Sequence, residues 1–476
     1  MPLPGSQNLR SSPPPRPARR GGRRVAVWVV GLLLVATLAG MAQASERVAL
    51  PQFKSGYERP TTEVPPPRAG FYDVLDVAAL VVALAMASYL AIRVRSRRGL
   101  WWLGLASLAY FGFWRAGCVC SVGAVQNVTL ALADTTYAVP VAITIFFIAP
   151  LVFTLFFGRT FCAAVCPLGA IQDLVVVRPL KVPAFLDHAL SLLAYVYLGA
   201  AVLFAATGAA FIICQYDPFV SFFRLVPLGR PVDTMNALGG STYMLILGAA
   251  FLAVGLVIGR PYCRWLCPYG AVLRVLGLAS KWRVTITPDE CVRCRLCEDA
   301  CPFGSIRRPT PPEVRTDRLI DRRRLAVLVV AVPAIIGLAG WAGASLAGPF
   351  SQLHYTVQQA ERVRLEEIGA VEGTANISDA FKNTGQTKEE LYQQALDVRH
   401  NFLIGGWLFG GWVGLVIAIK LIQLSVRRTR LDFEPDGGTC VACGRCFAYC
   451  PVERDKQKRK SEGAGSARRE PPGLTP

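Results

Sequence analysis

The sequence lacks the residues that hold most redox cofactors inside a membrane protein. Its 476 residues include only three histidines, His188, His354 and His400, and none lies in the middle of an apolar run. A b-type haem within the bilayer needs such histidines as axial ligands, so we expect no intrinsic haem. The chain also has no C-x-x-C-H motif for c-type haem and no G-x-G-x-x-G fingerprint for a dinucleotide. Any flavin or nicotinamide is therefore expected on a partner protein.

Charged residues are also scarce. They make up 17% of the chain, against about a quarter of an average soluble domain, and 53% of the residues are hydrophobic. Several apolar runs approach or exceed the length that spans a bilayer. The net charge of +19 is concentrated in short arginine blocks beside these runs, which is typical of membrane topology. The composition predicts an integral membrane protein with no nucleic-acid partner.

The apolar runs predict a mainly α-helical fold, a polytopic membrane helix bundle of seven or eight spans. Spans are expected at about 72–92, 101–114, 137–157, 189–213, 243–258, 325–346 and 402–424. If they alternate, the arginine blocks at 93–98, 322–324 and 427–430 share one side, which the positive-inside rule makes cytoplasmic. We therefore expect a multi-pass protein of the cytoplasmic (inner) membrane, with the loops near 118 and 214 outside.

The same pattern predicts how the domains are arranged. We expect a disordered basic tail (1–24), a cleaved signal peptide or first anchor helix (25–44), an extracytoplasmic linker (45–71), a membrane domain with repeated C-x₃-C-P motifs (72–280), the first half of a ferredoxin domain (281–320), two spans with an extracytoplasmic helical insert at 348–400 (325–426), the second half of the ferredoxin domain (427–455) and a disordered tail (456–476). Within the insert, Thr387 and Glu390 have the spacing of a capping box at a helix start.

Two cysteine runs share the spacing C-x₂-C-x₂-C-x₃-C-P, which bacterial ferredoxins use to bind [4Fe–4S] clusters. The first run comprises Cys291, Cys294, Cys297 and Cys301, and the second comprises Cys440, Cys443, Cys446 and Cys450. In two-cluster ferredoxins the fourth cysteine of each run ligates the other cluster. The favoured ligand sets are Cys291, Cys294, Cys297 and Cys450 for one cluster, and Cys440, Cys443, Cys446 and Cys301 for the other. The alternatives are two sites of four local cysteines each, or zinc. Because two spans separate the runs, both halves of this split domain are expected on the cytoplasmic face.

A second cysteine motif occurs twice, each time directly after an apolar run. Gly-Arg-x-x-Cys-x₃-Cys-Pro includes Cys162 and Cys166 in its first copy and Cys263 and Cys267 in its second. A spacing of four places both cysteines on one face of a helical turn. The two pairs could supply four ligands to a third iron–sulfur cluster. The alternative is a helix-end packing motif with free thiols.

Three further cysteines, Cys118, Cys120 and Cys214, are expected near the opposite membrane face. The segment from Gly117 to Asn127 resembles a degenerate third copy of the segment from Cys166 to Asp173. One hypothesis is an outer redox-active pair or metal centre. The other is a set of buried structural thiols or a disulfide.

These motifs together resemble the membrane-bound polyferredoxins of the NosR, NapH and RdxA type. The resemblance rests on the Gly-Arg-x-x-Cys-x₃-Cys-Pro elements at 158–167 and 259–268 and on the two ferredoxin runs. It is closest to the membrane half of NosR-like proteins. Those proteins carry an N-terminal extracytoplasmic flavin-binding domain, which residues 45–70 are too short to provide. The resemblance implies electron delivery to extracytoplasmic reductases, or their maturation.

The favoured function is membrane-bound electron transfer by a non-catalytic subunit of an oxidoreductase system. Its two [4Fe–4S] clusters would exchange electrons with a soluble donor or the quinone pool. An extracytoplasmic redox protein, either a flavoprotein or a respiratory reductase, would be the acceptor. The alternatives are a maturation or regulatory factor for a respiratory metalloenzyme and a scaffold in which the clusters only brace the structure.

Overall fold

The computed structural model describes residues 70–117, 120–177, 179–225, 242–286, 291–310, 318–371, 373, 375–382, 384–426, 430–456 and 459. The predictions for the N-terminal tail and the signal or anchor segment lie outside these residues. So do almost all of the predicted linker and C-terminal tail, and Cys118.

The described chain is mainly helical, as predicted. Its helices are α1 (Gly70–Tyr89), α2 (Arg97–Ser107), α3 (Ser121–Ala133), α4 (Val141–Phe157), α5 (Thr160–Ala164), α6 (Pro167–Val175), α7 (Ala184–Ala206), α8 (Ile212–Gln215), α9 (Val220–Leu225), α10 (Thr242–Gly255), α11 (Pro261–Trp265), α12 (Pro268–Leu278), α13 (Leu296–Ala300), α14 (Arg318–Ser345), α15 (Ala347–Ser351), α16 (Tyr355–Glu367), α17 (Asn376–Lys382), α18 (Lys388–Ser425) and α19 (Arg445–Tyr449). Two π-helical segments, Leu90–Val94 and Leu108–Trp114, continue α1 and α2. Two short strands, β1 (Ile306–Arg307) and β2 (Glu434–Pro435), pair antiparallel, with Ile306 opposite Pro435.

Four helices are long and apolar enough to cross a bilayer. They cover Gly70–Val94, Ala184–Ala206, Arg322–Ser345 and Lys388–Ser425. The shorter apolar helices α3, α4, α10 and α12 lie beside them in the chain. Helices therefore form where spans were expected, and four of them have spanning length; the count of seven or eight spans stays a prediction.

Each paired-cysteine motif contains a break between two helices. Cys162 lies within α5 and Cys263 within α11, whereas Cys166 and Cys267 are the N-cap residues of α6 and α12. The expectation that each pair shares a continuous helical turn is therefore wrong. The proline that follows Cys166 and Cys267 explains the break, since it pushes the residue before it into the extended region and favours the first helical position. Each motif thus presents its two cysteines from two different helices.

Glycines allow α14 and α18 to pack backbone against backbone. The row Gly406, Gly410 and Gly414 on α18 faces α14, and a Cβ added at Gly414 would lie 2.8 Å from the Cβ of Ala339. At Gly410 the same atom would overlap the carbonyl oxygen of Ala339. Lipid offers no hydrophobic drive for helix association, so close backbone contact between small residues stabilises this pair.

The segment predicted as an insert contains α15, α16, α17 and the first turns of α18. Its small core includes Val357, Val363, Phe381 and Leu391. The predicted capping box is present, because the Thr387 side chain accepts from the Glu390 N–H while the Glu390 carboxylate accepts from the Thr387 N–H. The helix that begins there does not end before the last apolar run. It continues without a break for 38 residues, so a single continuous helix connects the insert to the last predicted span.

Replacing Gly410 with alanine is expected to lower stability, because the added methyl group forces α14 and α18 apart. The loss should be about 1–3 kcal/mol, the usual cost of overpacking. Gly411→Ala is the matched control, since its Cβ would meet the nearest atom, Ile336 Cγ2, at 3.7 Å. Thermal unfolding in detergent measures both variants, and equal melting temperatures would contradict this packing.

Candidate metal centres

A first cavity gathers four cysteines from the two ferredoxin runs. It is lined by Cys291, Cys294 and Cys297 of the first run and by Cys450 of the second. Apolar side chains complete its wall, among them Ile286 and Phe433. Three local cysteines and one distant cysteine therefore face the same space.

A second cavity repeats this arrangement with the runs exchanged. It is lined by Cys440, Cys443 and Cys446 of the second run and by Cys301 of the first. The two cavities are similar in size, about 300 and 340 Å³ with their open mouths included. The structure thus brings together the same two groups of four cysteines that the crossed assignment names.

Two short helices connect the cavities and explain the crossing. Helix α13 begins beside Cys297 in the first cavity and ends at Cys301 in the second. Helix α19 begins beside Cys446 in the second cavity and ends at Cys450 in the first. The C-x₃-C spacing spans one helical turn, so the last cysteine of each run is carried away from its own cavity.

Both runs bend around their cavities with the same backbone. The residues before and after the second cysteine have positive φ in each run: Arg293 (50°) and Arg295 (64°) in the first, Ala442 (53°) and Gly444 (77°) in the second. A non-glycine residue in this region costs about 1–2 kcal/mol. The matched backbone conformation gives both runs one loop shape. The three non-glycine residues add backbone strain of the kind that clusters at ligand sites.

Asp436 holds the two halves of the ferredoxin region together. Its backbone N–H donates to the carbonyl oxygen of Ser305 (2.8 Å), and its carboxylate accepts from the Arg307 guanidinium (3.0 Å). The same carboxylate accepts from the N–H groups of Gly438 and Thr439, both at 3.0 Å. Burial alone would raise the pKa of Asp436, but Arg307 and these N–H donors hold it below the ordinary value. The residue therefore stays ionised at neutral pH.

The chemistry of the cavities fits iron–sulfur clusters. Burial raises the pKa of Cys297 to about 11 and that of Cys440 to about 12, so cluster binding there must displace protons. Four cysteines and apolar side chains line each cavity, which matches the thiolate ligand set of a [4Fe–4S] cluster.

The paired-cysteine site consists of Cys162, Cys166, Cys263 and Cys267. Cys166 interacts electrostatically with the other three, so the structure brings both pairs together. Two donors point at their sulfur atoms: Gln172 Nε2 lies 3.3 Å from Cys263 Sγ, and the Gly270 N–H lies 3.2 Å from Cys267 Sγ.

Two buried arginines connect the paired-cysteine site to the second ferredoxin cavity. Arg159 Nη2 lies 3.6 Å from Cys162 Sγ, and its Nη1 donates to the carbonyl oxygen of Gly438 (3.1 Å), two residues before Cys440. Arg260 donates to the carbonyl oxygens of Cys162 and Ala163.

The other side of Arg260 faces the ferredoxin runs. Its guanidinium carbon lies 5.8 Å from the ring centroid of Phe303, which lines the second cavity. It also interacts electrostatically with Cys263, Cys443 and Cys162. Each arginine is the one that opens its Gly-Arg motif, so the repeat in the sequence places both at this junction.

Asp173 is the counter-ion at the junction. Its carboxylate pairs with Arg97 (2.6 Å), Arg445 (3.2 Å) and Arg260 (3.6 Å). Arg97 also donates to the carbonyl oxygen of Cys443 (3.0 Å). Burial would raise the pKa of Asp173, but the three arginines hold it well below the ordinary value of 3.8.

Cys120 and Cys214 are not among the residues that line the two ferredoxin cavities. Cys120 is the N-cap residue of α3, and Cys214 lies in α8. Cys120 interacts electrostatically with Cys214 and with Asp217. Sequence reasoning missed Asp217, Asp173 and the two junction arginines. The fixed position of Arg159 and Arg260 before each cysteine pair was the signal for two of them.

Comparison with known proteins identifies the class to which these sites correspond. A 4Fe-4S binding domain model (Fer4_5) matches residues 139–183 and 241–286, which contain the two paired-cysteine motifs. A second 4Fe-4S binding domain model (Fer4) matches residues 284–307, the first ferredoxin run. These matches support iron–sulfur clusters in the chain.

Individual relatives narrow this class. The chain is 34% identical over 163 residues to the protein NirI of Paracoccus denitrificans, covering 32% of this chain and 22% of NirI. It is 30% identical over 163 residues to the regulatory protein NosR of Pseudomonas aeruginosa, covering 32% and 21% respectively. It is 30% identical over 184 residues to the ferredoxin-type protein NapH of Escherichia coli, covering 37% and 59%. The predicted resemblance to NosR- and NapH-type membrane polyferredoxins is confirmed. No solved structure matches the chain.

Replacing Asp173 with asparagine is expected to destabilise the protein by about 3–5 kcal/mol, because three arginines lose a shared buried counter-ion. The stabilisation by Asp173 is complete above about pH 5 and is lost as pH falls below 3.8, since the folded protein depresses this pKa. Asp299→Asn is the control, because the side chain of Asp299 is 66% exposed. Chemical unfolding at pH 7 measures both, and equal midpoints would contradict the role of Asp173.

Proposed function

We propose that this chain is a membrane-bound electron-transfer protein that links cytoplasmic [4Fe–4S] clusters to a redox partner on the other side of the membrane. The observation that carries the proposal is the junction formed by Arg159, Arg260 and Asp173. These residues join the paired-cysteine site to the second ferredoxin cavity within one buried network. The 4Fe-4S domains and the ferredoxin-type relatives support an iron–sulfur electron-transfer role.

The crossed groups of cysteines are the proposed ligands of two [4Fe–4S] clusters. One group is Cys291, Cys294, Cys297 and Cys450, and the other is Cys440, Cys443, Cys446 and Cys301. When bound, each cluster supplies a one-electron couple. The chain itself contributes the thiolates, the apolar walls that limit access of water, and the strained loops that fix the ligand positions.

The paired-cysteine site is the proposed location of a third iron–sulfur cluster. Four thiols from two pseudo-equivalent motifs surround it, and Gln172 and Gly270 aim N–H donors at two of the sulfur atoms. Donors of this kind and a nearby cation raise the reduction potential of a cluster. Electron tunnelling falls steeply with distance, so the role of Arg159 and Arg260 is to hold this site against the second cavity.

The arrangement in the membrane is part of the same proposal. We infer seven or eight spans, because the arginine blocks then share one side with both ferredoxin runs. That side is the cytoplasm, and the membrane is the inner membrane. The partners are a quinone or soluble electron donor and an extracytoplasmic flavoprotein or reductase, with no haem or flavin in the chain itself. The predicted domain boundaries belong to this proposal.

A regulatory or maturation role is the second candidate. Its support is the similarity to NosR of Pseudomonas aeruginosa, which is named as a regulatory protein. The two roles differ in timing, because a maturation factor is dispensable once its target enzyme is complete, whereas an electron carrier is needed throughout turnover.

Iron analysis tests the cluster assignment. We expect about twelve iron and twelve acid-labile sulfide atoms per chain if the two ferredoxin clusters and a cubane at the paired-cysteine site are the only centres, and about eight without the latter. The double variant Cys162→Ser/Cys263→Ser should lose the iron and sulfide of the third cluster. The EPR signal of the two ferredoxin clusters should stay unchanged. Equal iron in this variant and the wild type would exclude a cluster at the paired-cysteine site.

Serine substitution at the fourth cysteines distinguishes crossed from local ligation. In the crossed arrangement, Cys301→Ser changes the same EPR signal as Cys440→Ser, and Cys450→Ser changes the same signal as Cys291→Ser. Local ligation predicts the opposite pairing. EPR spectra of the four reduced variants measure this, and the unaffected second cluster in each spectrum is the internal control.

Electron transfer across the membrane tests the function itself. Proteoliposomes carrying a trapped membrane-impermeant acceptor should reduce it when a soluble reductant is added on the side of the ferredoxin runs. Arg159→Gln/Arg260→Gln should slow this at least tenfold with the cluster EPR signals retained. Unchanged rates would contradict the junction as the link, and no transfer by the wild type would contradict the function.

A further inference from the structure

The start of α3 repeats the geometry of the paired-cysteine site at a second place. Cys120 is the N-cap residue of α3, as Cys166 is of α6 and Cys267 is of α12. A glycine follows three residues later in every case, at Gly123 in α3. The Cys120 thiol faces the N–H of Gly123, as Cys267 Sγ faces that of Gly270.

A glutamine extends this equivalence to Cys214. Gln172, six residues after Cys166, accepts from the Tyr262 N–H (3.1 Å) and so holds the turn that carries Cys263. Gln126, six residues after Cys120, accepts from the N–H groups of Ile213 (2.8 Å) and Cys214 (3.2 Å). A Cβ added at Gly123 would lie 3.1 Å from Cys214 Sγ, so this sulfur lies against the first turn of α3. Cys214 thus has the place that Cys263 has in the other site.

Asp217 corresponds in position to Cys267, the N-cap cysteine of α12 in the paired-cysteine site. It precedes Pro218 as Cys267 precedes Pro268, and its carboxylate accepts from the Phe219 N–H (2.9 Å) just before α9. The residue is only 5% exposed. Cys120 interacts electrostatically with both Asp217 and Cys214, so the three side chains face a common region.

Two buried polar groups beside these residues have no partner in the part of the chain that the structure describes. Gln126 Nε2 belongs to a side chain that is 0% exposed, although its counterpart on Gln172 donates to Cys263 Sγ. The Tyr262 hydroxyl is likewise unpartnered, and it interacts electrostatically with Asp217 and Cys120. An unsatisfied buried donor costs about 1–3 kcal/mol. Each of these two donors therefore indicates an acceptor that the described residues do not supply.

We propose that Cys120, Cys214 and Asp217, hereafter the Cys120 trio, bind a further iron–sulfur cluster. Its sulfur atoms would accept from Gln126 Nε2 in the way that Cys263 Sγ accepts from Gln172. The equivalence with the paired-cysteine site, in the N-cap cysteine and in the glutamine contacts, favours a polynuclear centre over a single ion. The Asp217 carboxylate replaces one of the thiolates of the paired-cysteine site.

The Cys120 trio adjoins the paired-cysteine site. Tyr262 precedes Cys263, and its ring centroid lies 5.5 Å from that of Phe219, two residues after Asp217. Cys120 also interacts electrostatically with Cys166 and Cys267. This inference rests on the proposed function, to which it adds a centre beside the paired-cysteine site.

The test is metal analysis of the full-length protein, purified anaerobically in detergent. Compared with the wild type, Cys120→Ser/Cys214→Ser should contain about two to four fewer iron atoms and equally fewer sulfides per chain. The EPR signal of the ferredoxin clusters should stay unchanged, which also shows that the variant is folded. An unchanged iron content in the variant overturns the proposal. So does a variant that loses zinc or copper instead of iron. A Cys120–Cys214 disulfide in peptide maps of the wild type also overturns it.

Two substitutions of Asp217 distinguish a role as a cluster ligand from a role as a helix cap. Their results do not depend on the result of the cysteine variant. Asparagine caps a helix as well as aspartate does, so Asp217→Asn should lose the additional iron only if the carboxylate is a ligand. Asp217→Cys should keep the iron and change the EPR spectrum of that cluster. Wild-type iron content and spectra in both variants overturn the assignment of Asp217 as a ligand and, with it, the proposed trio. The proposed function fails on a different result, namely a wild type without transmembrane transfer, whatever its iron content.

Discussion

The arrangement of the sites depends on the burial of positive charge at one junction. Arg159 and Arg260 are 3% and 1% exposed, and a guanidinium cannot be left unpaired in apolar surroundings without a cost of several kcal/mol. Asp173 supplies the compensating charge for Arg260. The backbone carbonyl oxygens of Cys162 and Ala163 accept from Arg260, and that of Gly438 accepts from Arg159. The membrane helices and the ferredoxin runs are thereby fixed to each other through groups that also surround sulfur.

This junction explains how the two halves of the ferredoxin region lie together in the fold although they are far apart in the sequence. The first run comes after α12 in the chain, whereas the second run comes only after α18. The β1–β2 pair and Asp436 join the two halves locally, and Arg97 and Arg445 join the second run to α6 through Asp173. The position of each run is therefore determined twice, once by its partner run and once by the membrane helices.

Sequence reasoning identified the cysteine groups of the ferredoxin region, because cysteine spacing is a strict geometric constraint. The crossed grouping of Cys301 and Cys450 was favoured because the fourth cysteine of each run ligates the other cluster in two-cluster ferredoxins of this spacing, and each cavity is lined by such a group. The capping box at Thr387 was equally local and is present. The proline after Cys166 was also visible in the sequence, but the helix break that it causes was overlooked. Asp173 and Asp217 could not be identified in advance, because their roles depend on which helices meet around them.

The helix Lys388–Ser425 has a mechanical consequence. At 1.5 Å per residue its 38 residues extend about 57 Å, nearly twice the hydrocarbon thickness of about 30 Å. Its first turns lie in the core of the insert, and its last residue lies 15 positions before Cys440. An unbroken helix is stiff along its axis, so a load applied to the insert by a docked protein would be passed on as a tilt or a rotation near the second ferredoxin run. This connection would let the occupancy of one surface alter the surroundings of a sulfur ligand on the other.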